Sequence, residues 1–576
     1  MRDTAPPSAG WLPGVSALRA YPLRWLRGDG IAGVTVATYL VPQCLAYAEL
    51  AGLPAIHGLW AILPALLVYA LLGSSPQLSV GPESTTAVMT AAAIAPMAAG
   101  DPAATAGLAA LLALLVAGVC LVGSLSRLDF LADLLSRPIL VGYMAGVAVI
   151  MITGQLGKLS GLQLTGSALP AQLLELLRRH QEIHQPTLLL GLGVLLFLLL
   201  LQRLLPRAPA PLLAVLLSVV VVSLTHLDRQ GVALIGEIPT GLPQFSWPRG
   251  VSLEQLRDLV TAAVGIALVG YSDNVLTARS FAARGGYRIN ANQELLALGA
   301  INLGAGLLQG FPVSSSGSRT ALGDAAGSRS QLHSLVALAM VLLVLIGLRP
   351  VLALFPKAAL GALVIFAAIR LIDIGELRRM REFKRSEFRL ALVTMVGVLL
   401  TDILTGIGLA VALSVIDLFA RLMRPHDAVM GWGPNLAGLH DISDWEGAST
   451  TPGLLIYRYD APLCFANAEH FRSRVLAAID AELTPVEWFL LNAEAIIEID
   501  ITAADVILEL QQTLARRGIV FALARVKHAL YQQLQRAGLV GRIGAEHVFP
   551  TLPTAIAAFH ARGRSPREAF INGPPA

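Results

Sequence analysis

Two hydroxyl-rich stretches carry the chemistry that this sequence offers most clearly. Val80–Thr86 reads VGPESTT, and Gly310–Thr320 reads GFPVSSSGSRT. Both set Gly and Pro beside Ser and Thr, which favours the start of a helix, and both begin an apolar segment. The first N–H groups of a helix that starts inside a bilayer lack intrahelical partners, so they and the positive end of the helix dipole attract anions. The sequence therefore predicts two discontinuous helices, one in each half of the chain, that face an anion near the membrane midplane.

Three charged residues lie in or near these helix starts. Asp273 follows the apolar run 264–271, and a carboxylate at such a depth normally faces a cavity and has a role. Thr277 lies one helical turn further on the same face. Arg319 follows Ser318 at the second helix start, where a guanidinium supplies the positive field that an oxyanion needs. Glu83 is the least expected of the three, because it lies where the first helix should receive the anion.

Each of these residues also has a structural interpretation, and the sequence leaves both open. Asp273 can pair with Arg319 or with Arg279. Glu83 can cap its own helix, because acids favour the first turn. When ionised it would also compete with the anion, so that its protonation couples H⁺ to anion uptake. Asp273 with Thr277 and nearby carbonyls is oxygen-rich enough for Na⁺, whereas Asp273 alone suits H⁺. We expect Ser318 to contact the substrate, although the serines of this stretch can also be helix caps.

The composition places these residues in a membrane protein. The 576 residues are 55% hydrophobic and only 14% charged, against about 25% charged in soluble proteins. Four runs of about 18 residues or more lack Asp, Glu, Lys and Arg, and each is long enough to suggest a spanning helix: 31–48, 102–126, 138–157 and 330–348. The three cysteines are odd in number and scattered, which predicts neither disulfides nor a metal site. The N-terminus has no leading apolar run, so we expect no cleaved signal peptide.

Fourteen apolar segments can be counted, and the distribution of basic residues predicts their orientation. The segments lie near 31–50, 57–73, 82–99, 103–123, 138–156, 186–205, 209–226, 258–278, 293–310, 317–327, 331–348, 357–372, 388–402 and 404–420. Basic residues concentrate after the even-numbered segments, most of all after the twelfth, at 378–385. Positive loops are cytoplasmic, so we predict a multi-pass inner (plasma) membrane protein with both termini in the cytosol. The short tenth segment fits a discontinuous helix.

The pattern changes after Arg424. Short strand-like runs at 454–459, 488–492 and 520–524 alternate with helical stretches at 468–480, 502–516 and 526–537. This alternation predicts a small cytosolic α/β domain. The predicted organisation is a cytosolic N-terminal segment (1–30), a transport domain (31–425), a linker (426–450), the α/β domain (451–565) and a flexible tail (566–576).

The chain resembles the SulP, or sulfate permease, family of anion transporters with a C-terminal STAS domain, in its actinobacterial form. The matching stretches are VPQCLAYAELAGLPAIHGLW, LLGSSPQLSVGPESTTAVMTA, the run from DNVLTARS to GSRTAL, and PLCFANAEHFRSRV with LNAEAIIEIDITAADVILEL. The resemblance implies fourteen spans in a 7+7 inverted repeat with core and gate domains, discontinuous spans three and ten, and a homodimer. It also implies that Thr502 lies where regulatory STAS domains carry a phosphorylatable Ser, although a helix N-cap is the alternative.

The same resemblance assigns further site residues. The family's Pro-Gln of span one falls on Pro42-Gln43, with an aromatic residue at Tyr47. Its first half-helix start falls on 81–85, which includes Ser84 and Thr85, and its Ser-Arg falls on Ser318-Arg319. Its acidic residue in span eight falls on Asp273, where many members have Glu, so the identity of the coupling ion stays open.

We therefore predict a secondary active transporter that imports a small oxyanion, sulfate in the first place, with H⁺ or Na⁺ by elevator-type alternating access. The alternatives are Na⁺- or H⁺-coupled bicarbonate or dicarboxylate uptake, and a membrane-tethered STAS sensor with a regulatory partner. A nucleobase symporter of similar fold would favour paired acids in spans eight and ten, but span ten begins with Ser-Arg. No Walker loop, nucleophile elbow or redox cysteine pair occurs in the sequence, so we expect neither an enzyme nor a cofactor. The dispersed net charge of +4 predicts no nucleic-acid partner.

Overall fold

The structure is a computed structural model that describes residues 12–98, 101–129, 136–162, 164, 169–205, 208–236, 242–247, 252–401, 403–434 and 436–562. The predicted tail at 566–576 and the first eleven residues lie outside these ranges. The chain divides into two compact units, Met1–Ser414 and Val415–Ala576.

The first unit is built from helices. They are α1 (Pro13–Arg19), α2 (Leu26–Leu50), α3 (Ile56–Leu72), α4 (Ser84–Ala98), α5 (Pro102–Leu125), α6 (Arg137–Gly154), α7 (Leu156–Ser160), α8 (Leu169–Arg178), α9 (Gln185–Leu204), α10 (Ala210–Thr225), α11 (Leu253–Gly285), α12 (Ala291–Leu307), α13 (Gly317–Ala326), α14 (Leu332–Gly347), α15 (Arg349–Ala353), α16 (Lys357–Leu371), α17 (Ile374–Phe383), α18 (Arg385–Leu400) and α19 (Ile403–Met423), the last of which crosses into the second unit. Two short strands, β1 (Val80–Gly81) and β2 (Ser314–Ser315), directly precede α4 and α13.

Every apolar segment predicted from the sequence contains a helix. Among the described residues, six helical segments are long and apolar enough to cross a membrane: Leu23–Leu50, Pro102–Leu125, Arg137–Ser160, Gln185–Leu204, Leu253–Gly285 and Lys357–Phe383. Four further apolar helices of this unit, α3, α4, α10 and α14, are shorter. The tenth predicted segment is α13, which has ten residues, as expected for a discontinuous helix. The total of fourteen crossings stays a prediction.

Small residues let the helices approach closely. A Cβ placed on Gly58 would lie 1.8 Å from the carbonyl oxygen of Cys44, and one on Gly142 would lie 2.1 Å from that of Ala391. The first contact joins α3 to α2, and the second joins α6 to α18. Close backbone approach through Gly is how membrane helices gain packing energy where burial from water is not available.

The second unit contains one mixed sheet covered by helices. The strands are β3 (Asp427–Trp432), β4 (Leu439–Asp441), β5 (Leu454–Tyr459), β6 (Trp488–Asn492), β7 (Val520–Ala524) and β8 (Val548–Phe549), and the helices are α20 (Ala468–Ala481), α21 (Ile501–Arg516), α22 (His528–Arg536), α23 (Leu539–Ile543) and α24 (Leu552–Ala561). The sheet order is β4-β3-β5-β6-β7-β8. Strands β5 to β8 are parallel, and β3 pairs antiparallel to both β4 and β5. The three predicted strands coincide with β5, β6 and β7.

Two features of this unit differ from the sequence-based expectation. The predicted linker at 426–450 contains β3 and β4, so the sheet begins about twenty residues earlier than the predicted domain boundary. The N-cap of α21 is Asp500, whose carboxylate accepts a hydrogen bond from the Ala503 amide at 2.8 Å. Thr502 is therefore not the cap of this helix. It lies exposed in the first turn of α21.

Candidate functional site

A two-residue antiparallel ladder joins the two discontinuous helices at their N-terminal ends. Val80 pairs with Ser315 and Gly81 pairs with Ser314. Two further bonds extend the connection, because the Ser316 amide donates to the Ser79 carbonyl at 2.9 Å and the Ser79 amide donates to Thr320 Oγ1 at 3.0 Å. The helix starts of α4 and α13, which lie more than 200 residues apart in sequence, are thereby fixed to each other.

Arg319 lies fully buried beside this ladder, with 0% of its surface exposed. Its Nη1 donates to the carbonyl oxygen of Pro82, the residue that follows β1, at 2.7 Å. Its Nε and Nη2 have no hydrogen-bond partner among the described residues. Gly81 lies beside the guanidinium and is packed tightly against α3: a Cβ there would only touch Nη2, at 3.5 Å, but would clash with Ile62 Cδ1, at 2.0 Å. A buried cation with two unused donors needs an anion or water in that place.

The first turn of α13 also has free donors. Ser316 is its N-cap, but the bond from the Arg319 amide to Ser316 Oγ is long, at 3.5 Å. No described residue accepts a hydrogen bond from the amides of Gly317 and Ser318. The Ser318 hydroxyl lies 3.2 Å from that of Ser316. The α13 start therefore presents amides, a hydroxyl and the positive end of its dipole in one place.

The first turn of α4 is different, because Glu83 caps it. One carboxylate oxygen of Glu83 accepts from the Thr85 amide at 2.7 Å, and the other accepts from the Ser84 hydroxyl. The capping interpretation of Glu83 thus agrees with the contacts. Ser84 and Thr85 are both buried, and Thr85 Oγ1 also lies 3.7 Å from Met144 Sδ. The two helix starts are therefore not equivalent: one is occupied by a carboxylate of the chain and the other is open.

Asp273 of α11 reaches the same region. Its Oδ2 accepts a hydrogen bond from Ser315 Oγ at 3.1 Å, so its contact is with the ladder and not with a guanidinium. Glu83 and Arg319 lie within electrostatic range of it. Thr277 lies beside Gly317, because a Cβ on that glycine would be 3.9 Å from Thr277 Oγ1. The predicted cation-coupling pair therefore lies against the start of α13.

Gln43 and Tyr47 of α2 complete the cluster. Gln43 Nε2 donates to Tyr47 Oη at 3.3 Å, one helical turn away. Gln43 Oε1 is buried without a partner in the described part of the chain. Tyr47 lies within electrostatic range of both Glu83 and Arg319. The structure thus places all the site residues predicted from sequence around one region, although it does not test what they bind.

Sequence reasoning missed an acid that is fully buried. Glu294 of α12 has 0% of its surface exposed and accepts hydrogen bonds from Tyr69 Oη, the Ser74 amide and hydroxyl, and Asn274 Nδ2, at 2.7 to 2.9 Å. Through these bonds it connects α3, the segment that leads into β1, and α11 next to Asp273. The signal that singled out Asp273, an acid after a long apolar run, does not apply to Glu294. This residue follows Asn292 and Gln293 in the first turn of α12, where an acid is usual.

Asp29 forms a similar cluster near the start of α2. It is fully buried and accepts hydrogen bonds from the Arg329 amide at 2.6 Å, from Ser330 Oγ at 2.7 Å and from Tyr21 Oη at 3.0 Å. These contacts hold the segment between α13 and α14 against the N-terminal part of α2. Across the part of the chain that the structure describes, no group of three or more His, Cys, Asp or Glu side chains is placed to hold a metal ion.

Comparison with known proteins identifies the family of this chain. The model of the Sulfate permease family matches residues 26–394, and that of the STAS domain matches residues 448–555. A Mycobacterium tuberculosis protein named as a probable sulfate transporter is 54% identical over 555 residues, which cover 96% of this chain and 99% of that protein.

Solved structures agree in fold. The murine solute carrier 26 family member A9, named as an anion transporter in the inward-facing state, superposes with a TM-score of 0.88 at 22% identity, covering 96% of this chain and 94% of that one. The transmembrane domain of a cyanobacterial bicarbonate transporter superposes with a TM-score of 0.60 at 23% identity, covering 69% of this chain and 98% of that one. From its matched sequence and its fold, this chain belongs to the sulfate permease family and carries a C-terminal STAS domain.

Proposed function

We propose that this protein is a secondary active transporter that imports a small oxyanion, with sulfate as its substrate. The observation that carries the proposal is the environment of Arg319. Its guanidinium is fully buried and keeps two unpartnered donor nitrogens beside a helix start whose amides of Gly317 and Ser318 are also free. A planar, permanently charged donor next to free amides suits an oxyanion, whose oxygens accept several hydrogen bonds at once.

The proposed anion lies closer to α13 than to α4. The amides of Gly317 and Ser318 and the side chains of Ser318 and Arg319 would bind it. Ser84, Thr85, Gln43 and Tyr47 would form the opposite wall. The cap of α4 by Glu83 supports this asymmetry, because a carboxylate on the first turn repels an anion from the same amides.

The charges of the site support coupling to a cation. Each helix start contributes roughly half a positive charge, so Arg319 and the two starts together offer roughly two positive charges. Glu83 and Asp273, both ionised, cancel them. A divalent anion would then leave the site with roughly two negative charges, and two protons or other monovalent cations would neutralise it. Asp273 is the proposed acceptor for H⁺ or Na⁺, with Thr277 beside it as an oxygen ligand for Na⁺, and Glu83 is the second acceptor for H⁺.

The remaining features of the proposal concern the whole protein. It resides in the plasma membrane with both termini in the cytosol, works as a homodimer and moves its substrate by elevator-type alternating access. The STAS domain contributes stability or regulation and does not coordinate the anion. The free helix start and the coupling acids support a transporter over a membrane-tethered sensor, because a passive anchor has no use for buried charges.

The test is uptake of radiolabelled sulfate and bicarbonate by the purified full-length protein in liposomes. Gradients of H⁺ and of Na⁺ are imposed separately, and Arg319→Ala serves as the inactive control. We expect uphill sulfate uptake with one of the two gradients. Uptake of bicarbonate with no uptake of sulfate would reassign the substrate on the same site. Absence of flux of either anion, with a folded protein, would contradict the transporter proposal and favour the sensor.

A further inference from the structure

We propose that Arg378, Arg381 and Arg385 form a binding site for the headgroup of an anionic phospholipid. These three side chains, with Glu382 and Phe383, line a cavity of about 670 Å³ where α17 ends and α18 begins. The five residues are called the basic cavity below. Three guanidinium groups and one carboxylate give its lining a net charge of +2.

The arginines of the basic cavity are available to a ligand. In the described part of the chain, none of the three side chains makes a hydrogen bond or an ion pair, although Arg137 and Arg379 nearby both pair with Glu376, at 2.9 and 3.5 Å. All three are exposed. Guanidinium groups bind phosphate oxygens in bidentate fashion, so several of them around one cavity suit a phosphodiester.

The position of the cavity favours a membrane lipid over a free anion. It lies where the charged helix α17 ends and α18 begins, and α18 contains most of the thirteenth predicted apolar segment. Basic clusters directly beside a membrane segment attract anionic headgroups. Phe383 lines the cavity and is 81% exposed. An exposed aromatic ring next to arginines is costly in water, whereas it is favourable at the boundary between headgroups and acyl chains.

The helix that carries the cavity is held firmly in place. Asp373 caps α17 by accepting a hydrogen bond from the Glu376 amide at 2.8 Å. Glu376 pairs with Arg137 at the start of α6, and Met380 is buried. The basic cavity is therefore preformed, and binding a headgroup requires little ordering of the backbone.

The experiment titrates phosphatidylglycerol, and phosphatidylcholine in parallel, onto the detergent-solubilised full-length protein and counts bound lipids by native mass spectrometry. Each charge near a membrane surface changes the affinity about five-fold, so we expect R378A/R381A/R385A to bind phosphatidylglycerol about 100-fold more weakly. The control K527A/R536A/R542A removes three positive charges from exposed positions of the STAS domain and should bind as the wild type does. Phosphatidylcholine should bind weakly to all three proteins.

Two results would overturn the proposal. One is equal phosphatidylglycerol affinity in the wild type and in R378A/R381A/R385A. The other is displacement of the lipid by an equal concentration of inorganic phosphate, which would make this a site for free oxyanions. If R378A/R381A/R385A aggregates, the three single alanine variants are titrated instead. Each of them should bind phosphatidylglycerol about five-fold more weakly than the wild type. Unchanged binding in all three singles would equally overturn it.

Discussion

Replacing Arg319 by Ala should weaken sulfate binding far more than it weakens folding. The wild-type guanidinium has two unpartnered donors, Nε and Nη2, that face the proposed substrate. Charge-assisted hydrogen bonds contribute about 1.5–3 kcal/mol each, so their loss amounts to about 3–6 kcal/mol. At about 1.4 kcal/mol per tenfold change, Kd should rise roughly 10²- to 10⁴-fold.

The cost to folding should be smaller. The variant loses the hydrogen bond from Nη1 to the Pro82 carbonyl, and a buried acceptor left without a partner costs about 1–3 kcal/mol. Removing an unpaired buried charge offsets part of that cost. Arg319→Lys keeps the charge but loses the planar fork, and it should show an intermediate Kd.

The assay is sulfate binding by calorimetry on purified protein, with thermal unfolding measured in the absence of sulfate. Arg288→Ala is the matched control, because it removes the same charge from an exposed position after α11. It should leave both quantities unchanged. An unchanged sulfate Kd in Arg319→Ala, together with normal unfolding, would refute the role given to this residue. A large loss of stability with an unchanged Kd would show that Arg319 acts only in folding, through its hydrogen bond to the Pro82 carbonyl.

Three further predictions concern the acids and the second unit. Asp273→Asn should abolish uphill sulfate uptake in liposomes while leaving the protein folded; concentrative uptake at the wild-type rate would contradict this. Glu83→Gln should bind sulfate more tightly than the wild type at pH 7.5 and with a weaker pH dependence, because the amide no longer repels the anion while Asp273 can still accept H⁺; an unchanged pH dependence would place the titrating group elsewhere, and binding that collapses at every pH would leave only the capping role. A chain ended after Arg424, before β3, should retain residual sulfate flux, because the proposed site is complete in the first unit; a folded truncation without any exchange would show that the STAS domain takes part in the transport cycle.

The sequence predicted the helix starts because local chemistry determines them. Gly and Pro followed by hydroxyl residues begin α4 and α13, and the short apolar run after Arg319 matches the ten residues of α13. The strands β5, β6 and β7 could equally be predicted from the sequence, because each consists mainly of β-branched, aromatic or aliphatic residues. In all these elements the information lies within a few neighbouring residues.

The pairing of residues that are distant in sequence could not be predicted in the same way. That Val80 faces Ser315, or that Arg319 donates to Pro82, depends on how two segments more than 200 residues apart meet in space. The strands β3 and β4 were missed for a different reason. β4 has only three residues, and glycines and a proline lie in or beside β3, so these strands are identified only by the pairing of β3 with β5 and of β4 with β3.

The ladder between β1 and β2 has a consequence for energetics. Because backbone hydrogen bonds join the two helix starts, the distance between them cannot change without breaking the ladder and the bonds of Ser79. A carrier in which the two helix starts stay joined in this way would present the same binding geometry to both sides of the membrane. Its intrinsic affinity for the anion should then be equal from inside and outside.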